Sequence, residues 1–247
     1  MTDEPILEMR NINKSFGPVE VLKNVNFAAR AGEVTALVGD NGAGKSSLIK
    51  TVAGLWEPDE GQILWEGQPV RLHGPNDAEA LGITTIYQDL ALCDNLDIVQ
   101  NKFLGHEPRR HGVLDEDAME IAARQTLKDL SVITVRSIRQ PVASLSGGQR
   151  QAVAVAKAVM SKAKLVIMDE PTAALGVAQT TMVLELIKRL SGQGVAVLVI
   201  SHNLNDVFSV ADRMAILQLG RMVATGPAAD FDRQVVVDFM TTGSSKR

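Results

Sequence analysis

The segment GDNGAGKS, residues 39–46, constrains the fold of this 247-residue chain more than any other feature. It follows the apolar run EVTALV (33–38), which is typical of a buried strand, and it precedes SSLIKTVAG, which is typical of a helix. A glycine-rich turn between a strand and a helix directs backbone N–H groups and the positive end of the helix towards one point. The sequence therefore predicts a loop that binds phosphate.

Lys45 and Ser46 close this loop with the two side chains that bind a triphosphate and its metal ion. The ammonium group of Lys45 is expected between the β- and γ-phosphates, and the Ser46 hydroxyl is expected on Mg²⁺. An ordinary glycine-rich turn is the alternative, but the flanking strand and helix argue against it. The predicted ATP-binding residues of this loop are Gly39, Asp40, Asn41, Gly42, Ala43, Gly44, Lys45, Ser46 and Ser47.

An acidic pair ends the apolar run LVIMDE, residues 165–170. Four consecutive apolar residues are typical of a strand buried on both faces, and ligands of α/β sheets bind at the carboxyl ends of such strands. Asp169 is predicted to hold Mg²⁺, directly or through water, and Glu170 to polarise the attacking water as a general base. Two solvated acids at a strand end are the alternative when no phosphate loop accompanies them.

Three further residues are weaker candidates for the same site. Gln88 follows the predicted strand GITTIY (82–87), and its carbonyl oxygen suits Mg²⁺ and the attacking water, although most loop glutamines are only solvated. His202 follows the run VAVLVI and could reach the γ-phosphate, although a single histidine at a strand end is usually structural. Phe16 could stack on adenine or pack between strands, and the sequence alone does not separate these two possibilities.

Strand-like and helical patterns alternate along the chain, which predicts an α/β fold with a parallel sheet. No convincing strand pattern lies between about 90 and 160. We therefore expect a mainly helical lobe at about 89–161, inserted in an α/β core formed by 1–88 and 162–241, and a frayed tail at 242–247. Strands are expected at 6–12, 21–27, 33–38, 82–87, 164–169, 195–200 and 213–219, and helices after Lys45 and at about 117–131, 147–161 and 177–190, the one from 117 with a capping box of Asp117 and Glu120.

The composition and charge of the chain argue against several classes of protein. The formal net charge is −4 and the pI about 5.6, so the basic face of a sequence-independent nucleic-acid-binding protein is not expected. The single cysteine, Cys93, excludes an internal disulfide framework and suits a reducing compartment. The longest apolar run, GVAVLVI (194–200), is far shorter than the ~20 residues that span a bilayer, and the acidic start of the chain is unlike a signal peptide. We expect a cytoplasmic protein that reaches a membrane only through a partner.

The segment SLSGGQRQ (144–151) is a second glycine-rich helix start, but it has no lysine of its own. Together with GDNGAGKS, Gln88, LVIMDEPT and His202, in this order and spacing, it resembles the ATP-binding subunits of ABC transporters. The resemblance covers essentially the whole chain, and LSGGQ is its most specific motif among P-loop proteins. It implies a P-loop NTPase (RecA-like) core with an antiparallel β subdomain and an inserted helical subdomain.

In that family two ATP-binding domains pack head to tail, which implies that this chain forms a homodimer on binding ATP. The LSGGQ signature would then hold the γ-phosphate of ATP bound to the partner subunit, and hydrolysis would release the dimer. By linkage, ATP drives this closure only if it binds the closed state more tightly. The residues implied to face the other subunit's ATP are Ser146, Gly147, Gly148 and Gln149.

Segments such as LSGGQRQAVAVAKAV and YQDLALCDNLDIVQNKFLG are similar to those of the sugar importers of the ribose, xylose and fructose type. This resemblance implies an ATPase motor that energises sugar uptake through a membrane permease, which would dock near residues 88–105, and indirectly a sugar-binding protein. It implies a peripheral position at the inner face of the cell membrane. The chain does not identify the sugar, because selectivity belongs to the permease and the binding protein.

Gly176, in the segment MDEPTAALG, departs from the family pattern. The family usually has an aspartate at this position, and that side chain reaches across the dimer. Glycine has no side chain to make this contact, which puts communication between the two ATP sites in question.

Two other classes of function fit the motifs less well. A soluble ABC ATPase that serves a cytosolic assembly is the main alternative; translation-type members generally carry two such domains and a linker, whereas this sequence holds one domain. A P-loop kinase is the other, but Glu170 and the signature favour water attack and dimerisation over a substrate pocket.

Overall fold

The computed structural model describes residues 4–130, 135, 137–160 and 163–244. The strands are β1 (Leu7–Phe16), β2 (Val19–Ala29), β3 (Val34–Val38), β4 (Glu60–Trp65), β5 (Gln68–Val70), β6 (Ile83–Ile86), β7 (Arg109–Arg110), β8 (Val113–Leu114), β9 (Leu165–Asp169), β10 (Ala196–Ile200), β11 (Arg213–Gln218) and β12 (Arg221–Pro227). The helices are α1 (Lys45–Val52), α2 (Pro75–Leu81), α3 (Ile98–Phe103), α4 (Glu116–Asp129), α5 (Gly147–Met160), α6 (Val177–Gly192), α7 (Leu204–Val210) and α8 (Arg233–Thr242).

A six-stranded sheet forms the centre of the fold, in the order β12-β11-β3-β10-β9-β6. All neighbouring strands in it are parallel except β11 and β12. Alternate residues of β9 enter two different clusters: Val166 and Met168 pack with residues of α5 and α6, whereas Leu165 and Ile167 pack with residues of α1. Burial on both faces explains the unbroken apolar runs in the sequence. The predicted α/β fold with a parallel sheet is confirmed.

A second, antiparallel sheet has the order β2-β1-β4-β5 and packs against the α1 side of the central sheet. Its strands β1 and β2 are longer than the predicted 6–12 and 21–27, and their register shifts three times along the pair. The strands β4, β5 and β12 were not predicted.

A short hairpin of β7 and β8 interrupts the region from 90 to 160, where no strand was expected. Each of its strands has two residues, too few to produce an alternating pattern in the sequence. The helices of this region, α3, α4 and α5, contribute Phe103, Met119, Leu127 and Val153 to one apolar cluster.

The predicted capping box of α4 is wrong. The helix begins at Glu116, and its cap is Asp115, whose carboxylate accepts a hydrogen bond from the N–H of Ala118 at 3.1 Å. A carboxylate one residue before the first helical residue accepts from the free N–H groups of the first turn. Asp117 and Glu120 lie inside the helix, beyond the position from which a side chain can do this.

Several predicted ends lie outside the described residues. These are position 131 of the helix expected at 117–131, positions 161 and 162 at the expected lobe boundary, and 245–247 of the tail. Thr242 is the last residue of α8, so the expected frayed tail does not begin at 242. Within the part of the chain that the structure describes, every helix is too short or too polar for a membrane span.

Lys102, in α3, is buried against α4. Its ammonium group donates hydrogen bonds to the carbonyl of Ala122 at 3.0 Å and to the hydroxyl of Thr126. Burial lowers the pKa of Lys102 to about 8, and the carboxylate of Asp129 opposes this shift only in part. The charged form of this side chain is therefore destabilised in the folded protein.

We expect the contribution of Lys102 to stability to rise with pH between about 8 and 10.5, because the unfolded chain binds the additional proton in this range. A Lys102→Met variant keeps the volume and removes the charge. Urea unfolding at about pH 7 should show this variant more stable than the wild type by up to about 3 kcal/mol, and by much less near pH 10. An equal difference at both pH values would contradict the burial of a charge at this position.

Candidate functional site

A cleft of about 760 Å³ lies at the carboxyl edge of the central sheet. The segments that follow β3, β6, β9 and β10 all reach this edge, because the carboxyl ends of parallel strands meet there. The predicted residues that line the cleft are Asn41, Gly42, Ala43, Gly44, Lys45, Ser46, Ser47, Gln88, Asp169, Glu170 and His202.

The phosphate loop packs tightly against the backbone of neighbouring strands. Gly39 is buried, and a Cβ at this position would lie 2.3 Å from the carbonyl oxygen of Leu217 in β11. Gly44 precedes α1 with φ of +106°, a conformation that favours glycine, and a Cβ there would lie 2.8 Å from the carbonyl oxygen of Val21. Only glycine fits both positions.

Lys45 folds back over the loop. Its ammonium group donates hydrogen bonds to the carbonyl oxygens of Gly39 at 2.7 Å and Asp40 at 3.0 Å. Burial lowers the pKa of Lys45, and the carboxylates of Glu170, Asp40 and Asp169 oppose this shift. The cleft thus holds one cation at the loop with two carboxylates, Asp169 and Glu170, facing it.

Burial raises the pKa of the Asp169 carboxyl, and the charge of Glu170 beside it raises the pKa further. Lys45 and Lys50 act in the opposite direction but do not cancel this effect. The negative charge at Asp169 is therefore incompletely compensated, which is the environment that a bound cation would stabilise.

Glu170 and His202 contact each other directly. Nδ1 of His202 lies 2.8 Å from a carboxylate oxygen of Glu170. The backbone of Glu170 has φ of +50°, and its N–H donates to the carbonyl of Ile200 in β10 at 2.9 Å. A left-handed backbone at a non-glycine residue is strained, and such residues concentrate at active sites. Next along the chain, Thr172 donates a buried hydrogen bond to the carboxylate of Asp206 at 2.6 Å, which fixes this loop on α7.

Phe16 is not among the residues that line the cleft, although its cross-strand partner Val19 is. The residue is 43% exposed, and its ring meets the ring of Trp56 edge to face, with 4.5 Å between centroids. The ammonium group of Lys14 lies 5.5 Å from the same centroid. The alternative in which Phe16 packs inside the core is therefore wrong, and its role towards adenine stays a prediction.

The signature SLSGGQRQ leads into α5, and none of its residues lines the cleft. Ser146 and Gln149 cap each other: Gln149 N–H donates to the Ser146 hydroxyl at 3.4 Å, and Ser146 N–H donates to the Gln149 side chain at 2.9 Å. The signature therefore does not line the cleft of its own chain, as an assignment to a partner's nucleotide requires.

The two signature glycines pack against the segment that leads from Glu170 into α6. A Cβ on Gly147 would lie 2.7 Å from the side chain of Leu175, and one on Gly148 would lie 2.7 Å from Met182 and 3.0 Å from Gln179. At Gly148 a larger residue would meet Cβ of Gln179 as well as the end of the Met182 side chain. At Gly147 it would meet the movable end of the Leu175 side chain, so packing favours glycine more strongly at Gly148. Gly176 is exposed, and its N–H donates to the side chain of Gln179 at 3.3 Å.

Sequence reasoning missed one wall of the cleft. This wall comes from β2 and from the turn between β11 and β12, neither of which carries a recognisable nucleotide motif. Ala173, three residues after Glu170, lines the cleft and was also missed; the missed residues of this wall are Val19, Glu20, Val21, Lys23, Leu219 and Gly220. No local signal marks them, because only the order of strands in the sheet brings them to the phosphate loop.

The comparisons with known proteins agree with this geometry. The sequence profile of ABC transporters matches residues 22–173. The chain is 47% identical to the fructose import ATP-binding protein FrcA of Rhizobium meliloti, over 98% of this chain and 95% of that protein. It is 44% identical to the xylose/arabinose import ATP-binding protein XylG of Sulfolobus acidocaldarius, over 96% and 94% of the two chains.

Other relatives are about twice as long. The ribose import ATP-binding protein RbsA 1 of Rubrobacter xylanophilus is 43% identical over 96% of this chain but only 47% of its own length. Among solved structures, the ADP conformation of an ATP-binding cassette of an ABC transporter superposes with a TM-score of 0.84, at 26% identity over 95% of this chain and 96% of that one. The fold, the cleft and these matches agree, and the chain belongs to the ABC transporter family, as an ATP-binding ATPase.

Proposed function

We propose that this chain is the ATP-hydrolysing motor subunit of an ABC importer that energises sugar uptake through a membrane permease. The observation that carries the proposal is the 47% identity to a fructose import ATP-binding protein over 98% of this chain. The assembled cleft supports the catalytic part of it. The alternative of a soluble ABC ATPase in a cytosolic assembly has no observation in its favour.

In this proposal the triphosphate of ATP lies on the loop 39–46, at the positive end of α1. Lys45 exchanges its hydrogen bonds to the carbonyls of Gly39 and Asp40 for phosphate oxygens. The backbone N–H groups of the loop bind the remaining oxygens, and Phe16 stacks on adenine. The whole chain acts as one ATP-binding domain, with the helical lobe at about 89–161.

The cleft fits Mg²⁺. Ser46, Gln88 and Asp169 offer a hydroxyl, an amide and a carboxylate oxygen in one cleft, and Mg²⁺ is held in such sites by one or two carboxylates together with substrate phosphates. The described residues hold no group of three or more His, Cys, Asp or Glu side chains for a metal, so a site made by protein carboxylates alone is not part of the proposal. Bound Mg²⁺ would neutralise charge on the phosphates during transfer.

Glu170 acts on the attacking water. Its carboxylate accepts the proton as the water oxygen bonds to the γ-phosphorus, while the bond to the bridging oxygen of ADP breaks. His202 holds the carboxylate at 2.8 Å and turns to the γ-phosphate once ATP is bound. Gln88 orients the water from the opposite side of the acidic pair.

The site is completed by a second copy of the chain. Ser146, Gly147, Gly148 and Gln149 of each subunit bind the γ-phosphate in the other cleft, and hydrolysis removes this bond between subunits. None of these four residues lines the chain's own cleft, which supports this assignment.

The permease is proposed to dock near residues 88–105, which holds the protein at the inner face of the membrane. A second cavity, of about 530 Å³, lies in this region and is lined by Tyr87, Leu90, Leu104 and Lys157. Leu104 exposes an apolar side chain there, as a docking surface requires.

Co-purification with candidate permeases tests this function. The wild type should be retained by a cognate permease, and its ATPase rate in the complex should rise when a sugar-loaded binding protein is added. Leu104→Asp should lose retention, because it places a charge in the docking cavity. Val113→Asp is the matched control, since Val113 is exposed on the β7–β8 hairpin outside this cavity, and it should bind normally. Loss of binding in both variants, or in neither, would contradict docking at 88–105.

A further inference from the structure

The turn between β11 and β12 has an unusual first residue. Leu219 and Gly220 form a two-residue turn between the paired residues Gln218 and Arg221, with φ of +46° and +82°. Hairpin turns of this kind favour asparagine, aspartate or glycine at the first position, because other side chains are strained there. Leu219 nevertheless occupies it, and this residue is 68% exposed.

Two other hairpins of the described chain have the same geometry. Glu66 precedes Gly67 between β4 and β5, and His111 precedes Gly112 between β7 and β8, each pair with positive φ. Both first residues are polar, as expected for an exposed turn. Leu219 therefore combines backbone strain with exposure of an apolar side chain, a combination that the other two turns avoid.

The turn is fixed to the phosphate loop. Gly220 N–H donates to the carbonyl of Ala43 at 2.8 Å, and its own carbonyl accepts from Lys23 N–H at 2.7 Å. A Cβ at Gly220 would lie 2.8 Å from the carbonyl oxygen of Val21. These hydrogen bonds and this close packing hold Leu219 at the cleft, which Val19 and Val21 also line.

The strand order tells which end of a nucleotide would lie beside Leu219. The phosphate loop follows β3; β11 lies on one side of β3, whereas β10, β9 and β6 lie on the other. Glu170, His202 and Gln88 follow these last three strands, so the reacting γ-phosphate belongs on their side. A nucleotide centred on the loop then directs its nucleoside towards Leu219.

We propose that Leu219, Val19 and Val21 form an apolar subsite for the nucleoside of ATP. The inference rests on the proposed binding of ATP in this cleft. Leu219 makes an apolar contact with the base or ribose, and this contact is retained in spite of the strain at its backbone. The strain at this turn therefore lowers the stability of the fold, while the contact raises the affinity for nucleotide.

The test is a substitution that moves stability and affinity in opposite directions. Leu219→Asn creates the favoured Asn-Gly turn, and thermal unfolding should show a Tm about 2 to 4 °C higher. ATP should bind about tenfold more weakly, because the apolar contact is lost, whereas inorganic tripolyphosphate, which has no nucleoside, should bind unchanged. Leu219→Met keeps an apolar side chain and should bind ATP nearly as the wild type does.

His111→Asn is the matched control, since it makes the same change in a turn outside the cleft and should leave ATP affinity unchanged. Unchanged ATP affinity in Leu219→Asn, or equal losses for ATP and tripolyphosphate, would overturn the subsite. Lys45→Ala separates the two proposals: if it weakens both ligands while Leu219→Asn weakens neither, only the subsite fails. If Lys45→Ala weakens neither ligand, binding of ATP in this cleft fails as well.

Discussion

A Glu170→Gln variant is expected to bind ATP and to lose nearly all hydrolysis, with kcat lowered by about 10²- to 10⁴-fold. The amide keeps the size of the side chain and can still accept a hydrogen bond from His202, 2.8 Å away in the wild type, so the cleft should keep its shape. An amide cannot take a proton from the attacking water. Steady-state phosphate release and equilibrium ATP binding, measured on the same preparation, separate the two effects.

Glu185→Gln is the matched control for Glu170→Gln. Glu185 lies on the exposed face of α6, so this variant removes a carboxylate outside the cleft. Its hydrolysis rate should equal that of the wild type. A Glu170→Gln protein that turns over near the wild-type rate would remove Glu170 from the role of general base.

Ser146→Arg is expected to abolish dimerisation driven by ATP without abolishing ATP binding. The substitution places a long cation at the start of α5, where the structure has an exposed serine that caps the helix. Because the chain's own cleft lies elsewhere, its affinity for ATP should stay within about twofold of the wild type. Light scattering at saturating ATP is the measurement, made in the Glu170→Gln background so that hydrolysis does not release the dimer.

Ser146→Ala provides the comparison for the lost cap. It removes the hydroxyl that accepts from Gln149 N–H but adds no bulk, so unfolding should show a loss of about 1 kcal/mol while the ATP-bound dimer persists. If Ser146→Arg dimerises with ATP as the parent does, the signature does not face the other subunit's nucleotide.

The sequence predicted the parts of the site that obey a local chemical rule. The loop 39–46 requires glycines, lysine and serine in a fixed order, and Asp169 ends a strand whose apolar run is unmistakable. The central strands were placed for the same reason, because burial on both faces leaves an uninterrupted apolar run.

What could not be predicted depends on distant parts of the chain. Leu219 reaches the cleft only because β11 pairs with β3, and no pattern near Leu219 encodes that pairing. The cap of α4 was misplaced because Asp115 and Asp117 are equally suitable by residue type, and the point where the backbone becomes helical decides between them. Strand β4 was missed because only its last three residues are buried, which leaves a short apolar signal.

The start of α5 packs directly on the segment behind Glu170, because Gly147 and Gly148 lie close to Leu175, Gln179 and Met182. If the proposed permease tilted α5, that segment would have to move with the helix, or it would prevent the tilt. In the proposed dimer, a movement of the segment after Glu170 on nucleotide binding would therefore also move the start of α5. That helix start is the part of each subunit that faces the nucleotide of its neighbour. This steric linkage runs inside one chain, so it does not need the aspartate that Gly176 replaces.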